Sequence, residues 1–508
     1  VGGLALRKFA TGDVYAFYSE HVKQYGAVQI ITVLPAEVYV VMLDYISETK
    51  LTEDQLQNIK PLKQDRWFYK GRIYYFAGKL PENYIYIGNT KPLFTEKTSY
   101  YGGSLPSDNI IEAEYYWRKA PEKTRAAIKK ADPATEVIVG GVTCRETYTN
   151  AKAEILSGIS DISELDALVA LRSICAEKFH DDLIPYLETR CLINELSLKN
   201  HKQNLLDFRE TSLTKIDLDA TDLESLYLNE QVRELSLTGD ISPKLRIYST
   251  NYGANLFMRI KLNAEFLYDF LLKNIKKISI YNINRLDCSI ITELYPELTN
   301  LTLCGIPGYL MNVDKLCVLK NLKVLYLIDV FGFTEQEFPS PHSLPNLEEL
   351  WLDSISEQVG KYLKTLYKPV VKVLDVRKLR KPGWIIENIN NPFRHWDGSD
   401  LVPKSKAKKA SELYKLTRKS FFAEVSEIKQ YPSNINSVQD KLINIAKNYC
   451  IAFNKLNCRN NFIETEERED IFDAFEEIIN DAIKEFSLTD VKIDTPALLN
   501  AIDENRDW

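Results

Sequence analysis

The feature that most constrains this chain is a short apolar signature that returns between about Cys191 and Arg380. Its clearest copies are Leu298-Thr-Asn-Leu301-Thr-Leu303, Leu322-Lys-Val-Leu325-Tyr-Leu327, Leu347-Glu-Glu-Leu350-Trp-Leu352 and Val371-Lys-Val-Leu374-Asp-Val376. The last apolar position of each copy advances by 24, 25 and 24 residues, a period that allows one strand and one return segment per unit. A single unit of this kind cannot bury its own leucines. A continuous core exists only when neighbours stack, so the pattern predicts a solenoid over residues 191–380.

The period and the Leu-x-x-Leu-x-Leu spacing resemble those of leucine-rich repeats. Weaker copies precede the clear ones: Leu196/Leu198, Ile216/Leu218, Leu226/Leu228, Leu235/Leu237, Ile260/Leu262 and Ile278/Ile280. Their spacing drops to nine or ten residues between Ile216 and Leu237, which predicts early units without a return helix. The position that holds Asn in the consensus carries Ile306, Val330 and Ile355, so the turn after each strand must be held by packing. Alternate residues of a strand point to opposite faces, and those between the leucines are expected on the concave side. In the last five units these are Ser279, Thr302, Tyr326, Trp351 and Asp375, followed two positions on by Tyr281, Cys304, Ile328, Asp353 and Arg377. Adjacent strands lie about 4.8 Å apart, so Tyr326 and Trp351 are expected as neighbours. Aromatic anchors among charged side chains compose an interface hot spot, and the candidate contact set is Tyr281, Thr302, Tyr326, Ile328, Trp351, Asp353, Asp375 and Arg377.

Around the array the composition divides the chain further. Residues 8–105 hold 18 of the 56 aromatic residues and read as strands between Gly, Pro, Asn and Asp, giving a curved, mostly antiparallel sheet in a domain spanning 1–145. Within it, Gly12-Asp-Val-Tyr-Ala-Phe17, Tyr25-Gly-Ala-Val-Gln-Ile30, Leu43-Asp-Tyr45 and Ile87-Gly-Asn89 with Pro92-Leu93 resemble, in order and spacing, the bacterial immunity 26 family, whose name also refers to a phosphotriesterase. The resemblance implies an antidote to a polymorphic toxin, with no catalytic motif to carry over. Residues 146–190 read as a helical connector capping the first repeat, with Leu165, Leu168, Val169, Leu171 and Ile174 at helical spacing. Residues 381–406 read as a cap and a basic linker, Lys404-Ser-Lys-Ala-Lys-Lys409 marking its end. Residues 407–508 read as a helical bundle, with Leu413, Leu416, Phe422 and Val425 on the inward face of its first helix. The expected fold class is therefore α+β and multidomain, with an α/β solenoid at its centre.

Charge and chemistry narrow the function. The net charge of −7 is concentrated: residues 464–508 carry 15 acidic and 4 basic residues, which disfavours nucleic acid and suits a basic partner. The eight cysteines include no C-x-x-C pair, the five histidines no metal-ligand spacing, and Gly305-Ile-Pro-Gly308 reads as a repeat turn. No apolar run reaches the roughly 18 residues of a membrane helix, and Val1–Lys8 carries no secretion pattern, so a cytoplasmic protein is expected. No cofactor and no metal is expected. The resulting expectation is a non-catalytic bacterial immunity protein that neutralises a cognate toxin through protein–protein contacts. A hydrolase in the N-terminal domain and a repeat scaffold or sensor, for example in phage defence, are the competing classes.

Overall fold

Aromatic and β-branched runs separated by turn residues pair into a six-stranded N-terminal sheet in the order Ile85–Asn89, Asp13–Ser19, Gln24–Val33, Val38–Met42, Tyr75–Gly78, Tyr101–Ser104. All of its pairings are antiparallel except the last. The structure, a computed structural model, describes residues 8–94, 101–105, 109–262, 267–388, 391–399, 401–430, 435–458, 461–486 and 493–508. It divides into two compact units, residues 1–352 with 362–375 and residues 353–361 with 376–508.

The motif residues of the N-terminal domain explain one another. Gly12 adopts φ +92°, and a Cβ there would meet Thr90 O at 2.3 Å, so only glycine fits this close strand approach. The neighbouring Asp13 is fully buried and takes Asn89 Nδ2 at 2.8 Å and Ala10 N at 2.9 Å. Gln29, also buried, receives Leu93 N on its carbonyl at 2.8 Å. The first, second and fourth motifs thus meet in one satisfied polar knot, as buried polar groups must.

Within the same unit, the helix Asn109–Lys119 joins this domain to the repeats. Its Glu112 pairs with Arg233 and its Glu114 with Arg66, and the Arg172 guanidinium lies 3.5 Å from the centre of the Trp67 ring. Both carboxylates are buried, so their arginines are what makes that burial tolerable.

The repeats form an eleven-stranded sheet whose described pairings, from Asn150–Ala151 to Val324–Phe331, are all parallel and whose last strands are Val324–Phe331, Glu349–Asp353 and Val373–Arg377. Leu196, Ile216, Leu235, Met258, Ile278, Leu301, Leu325 and Leu350 stack as one buried row, and Leu198, Leu218, Leu237, Ile260, Ile280, Leu303, Leu327 and Leu352 as the next. The nine- and ten-residue intervals have a specific cause. Leu205–Asp207, Ser225–Tyr227 and Arg246–Tyr248 form a second, three-stranded parallel sheet, so the early chain alternates between two sheets. Its return segments are strands, as the absence of helical spacing predicts.

Several expectations need correction. The residues at helical spacing, Leu165 to Ile174, do not form a helix: they divide between a 3₁₀ turn, Ile162–Ala167, and a repeat strand, Ser173–Ala176. Glu164 folds back on Ser160 N and Asp161 N to hold the turn, and Ile174 and Ala176 alternate into the core. The repeat sheet therefore starts at Asn150–Ala151, well before 191. Gly305-Ile-Pro-Gly308 lies inside the strand Asn300–Met311 rather than in a turn, because the glycines admit neighbouring backbone: a Cβ on Gly305 would meet Asp329 O at 2.1 Å.

In the second unit, the basic segment from Lys404 is the start of a 27-residue helix, Lys404–Gln430, not a linker. The helices Ile435–Asn457, Thr465–Phe486 and Thr495–Asp503 follow. Phe393, Trp396, Tyr414, Phe421, Val425, Tyr449, Phe453 and Phe475 fill their common core. Leu416 stands 65% exposed, because Ala410, Tyr414, Phe421 and Val425 define the inward stripe and Leu416 falls off it.

Candidate interaction surface

The outer face of the parallel sheet, opposite the leucine rows, is built by the period-two alternation of each strand. Its middle row runs in register through Ser197, Asp217, Ser236, Arg259, Ser279, Thr302 and Tyr326. Early members of this face satisfy one another. Ser197 Oγ donates to Asp217 at 3.1 Å, and Arg259 pairs with Glu234 at 2.7 Å.

Further along, polar pairs give way to aromatic rings. Tyr326 and Trp351 stand side by side with centroids 5.2 Å apart and planes tilted by 48°, both partly exposed. Partial burial and, after it, the nearby Glu349 carboxylate raise the Tyr326 phenol above its ordinary value. Thr302 is the register partner of Tyr326, and Cys304 that of Ile328. Tyr281 pairs with Lys261, while register with the next strand slips after Ile280, so Tyr281 does not join Cys304 as the spacing alone predicts. Asp375 occupies the middle of the strand Val373–Arg377. Asp353 and Arg377 belong to the second unit, where Ser354 N donates to Arg377 O at 3.2 Å.

A neighbouring ledge has no counterpart in the sequence-based set. Lys277–Asp287 and Asn300–Met311 run for 11 and 12 residues, against three to five in the early repeats, and pair Arg285 with Tyr309 and Asp287 with Met311. Ile306, Tyr309 and Met311 are 37 to 41% exposed along it. The apolar alternation past Cys304 was the available signal, and the turn-like glycines concealed it.

Among the described residues no three His, Cys, Asp or Glu side chains are placed to hold a metal ion. His201 is buried and bonded to Asp219 O and Gln203 N. His395 and Trp396 share Asp470, each at 2.7 Å, and Trp396 belongs to the bundle core. Burial pushes the Cys288 thiol up to about 12 and the Cys450 thiol to about 11, which keeps both protonated at neutral pH. No described helix is long and apolar enough to cross a membrane.

Compared with protein-family models and with curated proteins, the chain has no match in either. Among solved structures it is similar to an internalin from Listeria monocytogenes, at 16% identity and a TM-score of 0.26, over 51% of this chain and 88% of the internalin chain. The parallel register of the strands, not this likeness, defines the fold.

Proposed function

We propose that this chain is a leucine-rich repeat protein that acts by binding another protein, without turnover, and that the bound partner is a polymorphic toxin which it neutralises in the cytoplasm. The observation that carries the binding reading is the Tyr326–Trp351 pair on the outer face of the sheet, flanked by Thr302 and Ile328. Large rings that stay partly exposed on a rigid sheet lose little conformational freedom on binding, and they are the side chains that dominate interface energetics. The toxin reading draws on the immunity 26 motif order, whose residues Gly12, Asp13, Gln29 and Asn89 have structural roles.

Co-expression with the toxic product of the gene beside its own tests this directly. Rescue of growth and recovery of a one-to-one complex are the expected outcomes. Full lethality without a complex would sink the toxin reading. Phosphotriester turnover by purified full chain would replace it with the hydrolase reading.

A further inference from the structure

We propose that the second unit carries a docking surface for an anionic lipid membrane, formed by the outward face of the helix Lys404–Gln430 and the short helix Pro382–Asn388 beside it. The inference rests on that unit alone and is independent of what the repeats bind. The long helix turns Ala410, Tyr414, Phe421 and Val425 into the bundle core. Lys408, Glu412, Lys415 and Lys419 follow one another at spacings of four, three and four, so they line the opposite face, with Lys404 and Lys409 at its border. All five lysines are exposed, and among the described residues none of them is in an ion pair.

The other charges of the region are already partnered. Lys406 donates to Leu456 O, Arg418 pairs with Asp481, Glu424 and Glu427 hold Lys441, and Glu477 accepts from the Tyr414 hydroxyl. Asp397 accepts from Arg380 and from Trp384 Nε1, Lys381 lies near Glu357, and Asp400 is outside the described residues. The face is left with five lysines against Glu387 and Glu412. The two helices share it: Lys415 Nζ donates to Glu387 O at 3.4 Å, and Trp384, Glu387 and Asn388 line one cleft with Lys404, Lys408 and Lys415. Aliphatic side chains stand among the lysines. The short helix contains Trp384, Ile385 and Ile386 yet buries no residue, and its Ile386 is 80% exposed. Leu416, next to Lys415, also projects outward.

This combination selects the partner. Phosphate headgroups attract the ammonium groups, and the boundary of the acyl chains takes the aliphatic side chains. A nucleic acid offers phosphates but no apolar layer for Ile386 and Leu416. A folded acidic protein needs a separate pocket for each of these side chains, whereas a bilayer receives both. The acidic helix Thr465–Phe486 packs on the inward side of the long helix, where Phe475 meets Phe421, opposite the lysines. Charge farther off than about 8 Å is largely screened at physiological salt. No described helix is long and apolar enough to cross a membrane, so the docking is peripheral.

The test is flotation of the full chain with vesicles of phosphatidylcholine alone and of phosphatidylcholine with one-third phosphatidylglycerol. The proposal expects binding to the second kind only, weakening as salt is raised. Each lysine near an anionic surface contributes roughly fivefold, so the triple variant Lys408→Gln, Lys415→Gln, Lys419→Gln should bind about a hundredfold more weakly. The pair Ile386→Ser, Leu416→Ser should lose severalfold. All five positions are exposed, and an unchanged thermal midpoint verifies that each variant folds. Absence of binding to the anionic vesicles, or binding that neither set of substitutions weakens, would overturn the proposal. Loss with the lysine set alone would overturn it too, by showing a face that takes any polyanion. Salt-sensitive self-association removed by the lysine set, without vesicle binding, would assign the face to a second copy of the chain instead.

Discussion

The repeats up to Lys261 and those from Lys277 onward bury the same two apolar rows with different return segments. In the early part, Leu198, Leu218 and Leu237 are 20 and 19 residues apart, and the chain returns through short strands of a second parallel sheet. Later the interval is 23 to 25, and the return runs through segments such as the 3₁₀ turn Val313–Val318 or the helix Glu357–Tyr367. The extra residues are spent in two ways: on a helical turn that packs behind the sheet, and on strands of up to 12 residues that reach past it. The early outer face closes on itself through polar pairs, whereas the later one presents rings. Repeat length, more than leucine content, decides which part of the array can offer a binding surface.

The largest effect expected from this comparison is in the cores. Leu327 and Leu226 are both fully buried, so Leu327→Ala and Leu226→Ala should each destabilise by about 2 to 5 kcal/mol. Leu327 should sit at the upper end, because its strand is held by long neighbours while the three-residue strand of Leu226 can collapse onto the cavity. Urea titration of both variants checks this, and equal losses would break the distinction. Next in size is Gly305→Ala, expected to cost about 1 to 3 kcal/mol because the new methyl meets backbone at Asp329 O and Gly308 N. Gly239→Ala in the early part meets side-chain oxygens of Asp219 and Thr221 instead of backbone, so the strain of φ +81° and a disturbed Asp219–Thr221 hydrogen bond should together cost about 1 kcal/mol.

A smaller effect concerns the contact between the N-terminal sheet and the repeats. Burial, then Arg233 and Lys23, depress His21 to about 4, while Glu20 opposes them and Lys277 adds to the depression. The unfolded chain therefore takes up this proton near pH 6.5 and the folded one only near 4. Stability from His21 is complete above pH 6.5 and declines as the pH falls from 6.5 towards 4. His21→Gln should flatten the slope of the thermal midpoint across that window. An unchanged slope would show that burial and the cations around it do not keep His21 neutral in the folded chain. The smallest effect is expected from Lys372→Ala, which removes an exposed 2.7 Å ion pair with Glu348 and should change stability by less than about 0.5 kcal/mol by the same urea titration.

Much of this architecture was legible because its signals are local. The leucine period exposes the late strands, and the spacing between them places Tyr326 beside Trp351. What escaped depended on contacts distant in sequence. Ser173–Ala176 looked helical because apolar residues three and four apart in 165–174 are shared between a 3₁₀ turn and a strand. Glycines 305 and 308 suggested a turn, whereas their role is close approach to Asp329 and Ile283 on neighbouring strands. The polar knot of Asp13, Gln29 and Asn89 could be quoted as motifs, but its cause appeared only when the strands were brought together.

The most direct test of the outer face is amide hydrogen exchange of the full chain, alone and with the toxin whose neutralisation is proposed above. Slowed exchange in Val324–Phe331 and Glu349–Asp353 on complex formation is the predicted result. Protection confined to the N-terminal sheet or to the helix Thr465–Phe486, with those two strands unchanged, would contradict it.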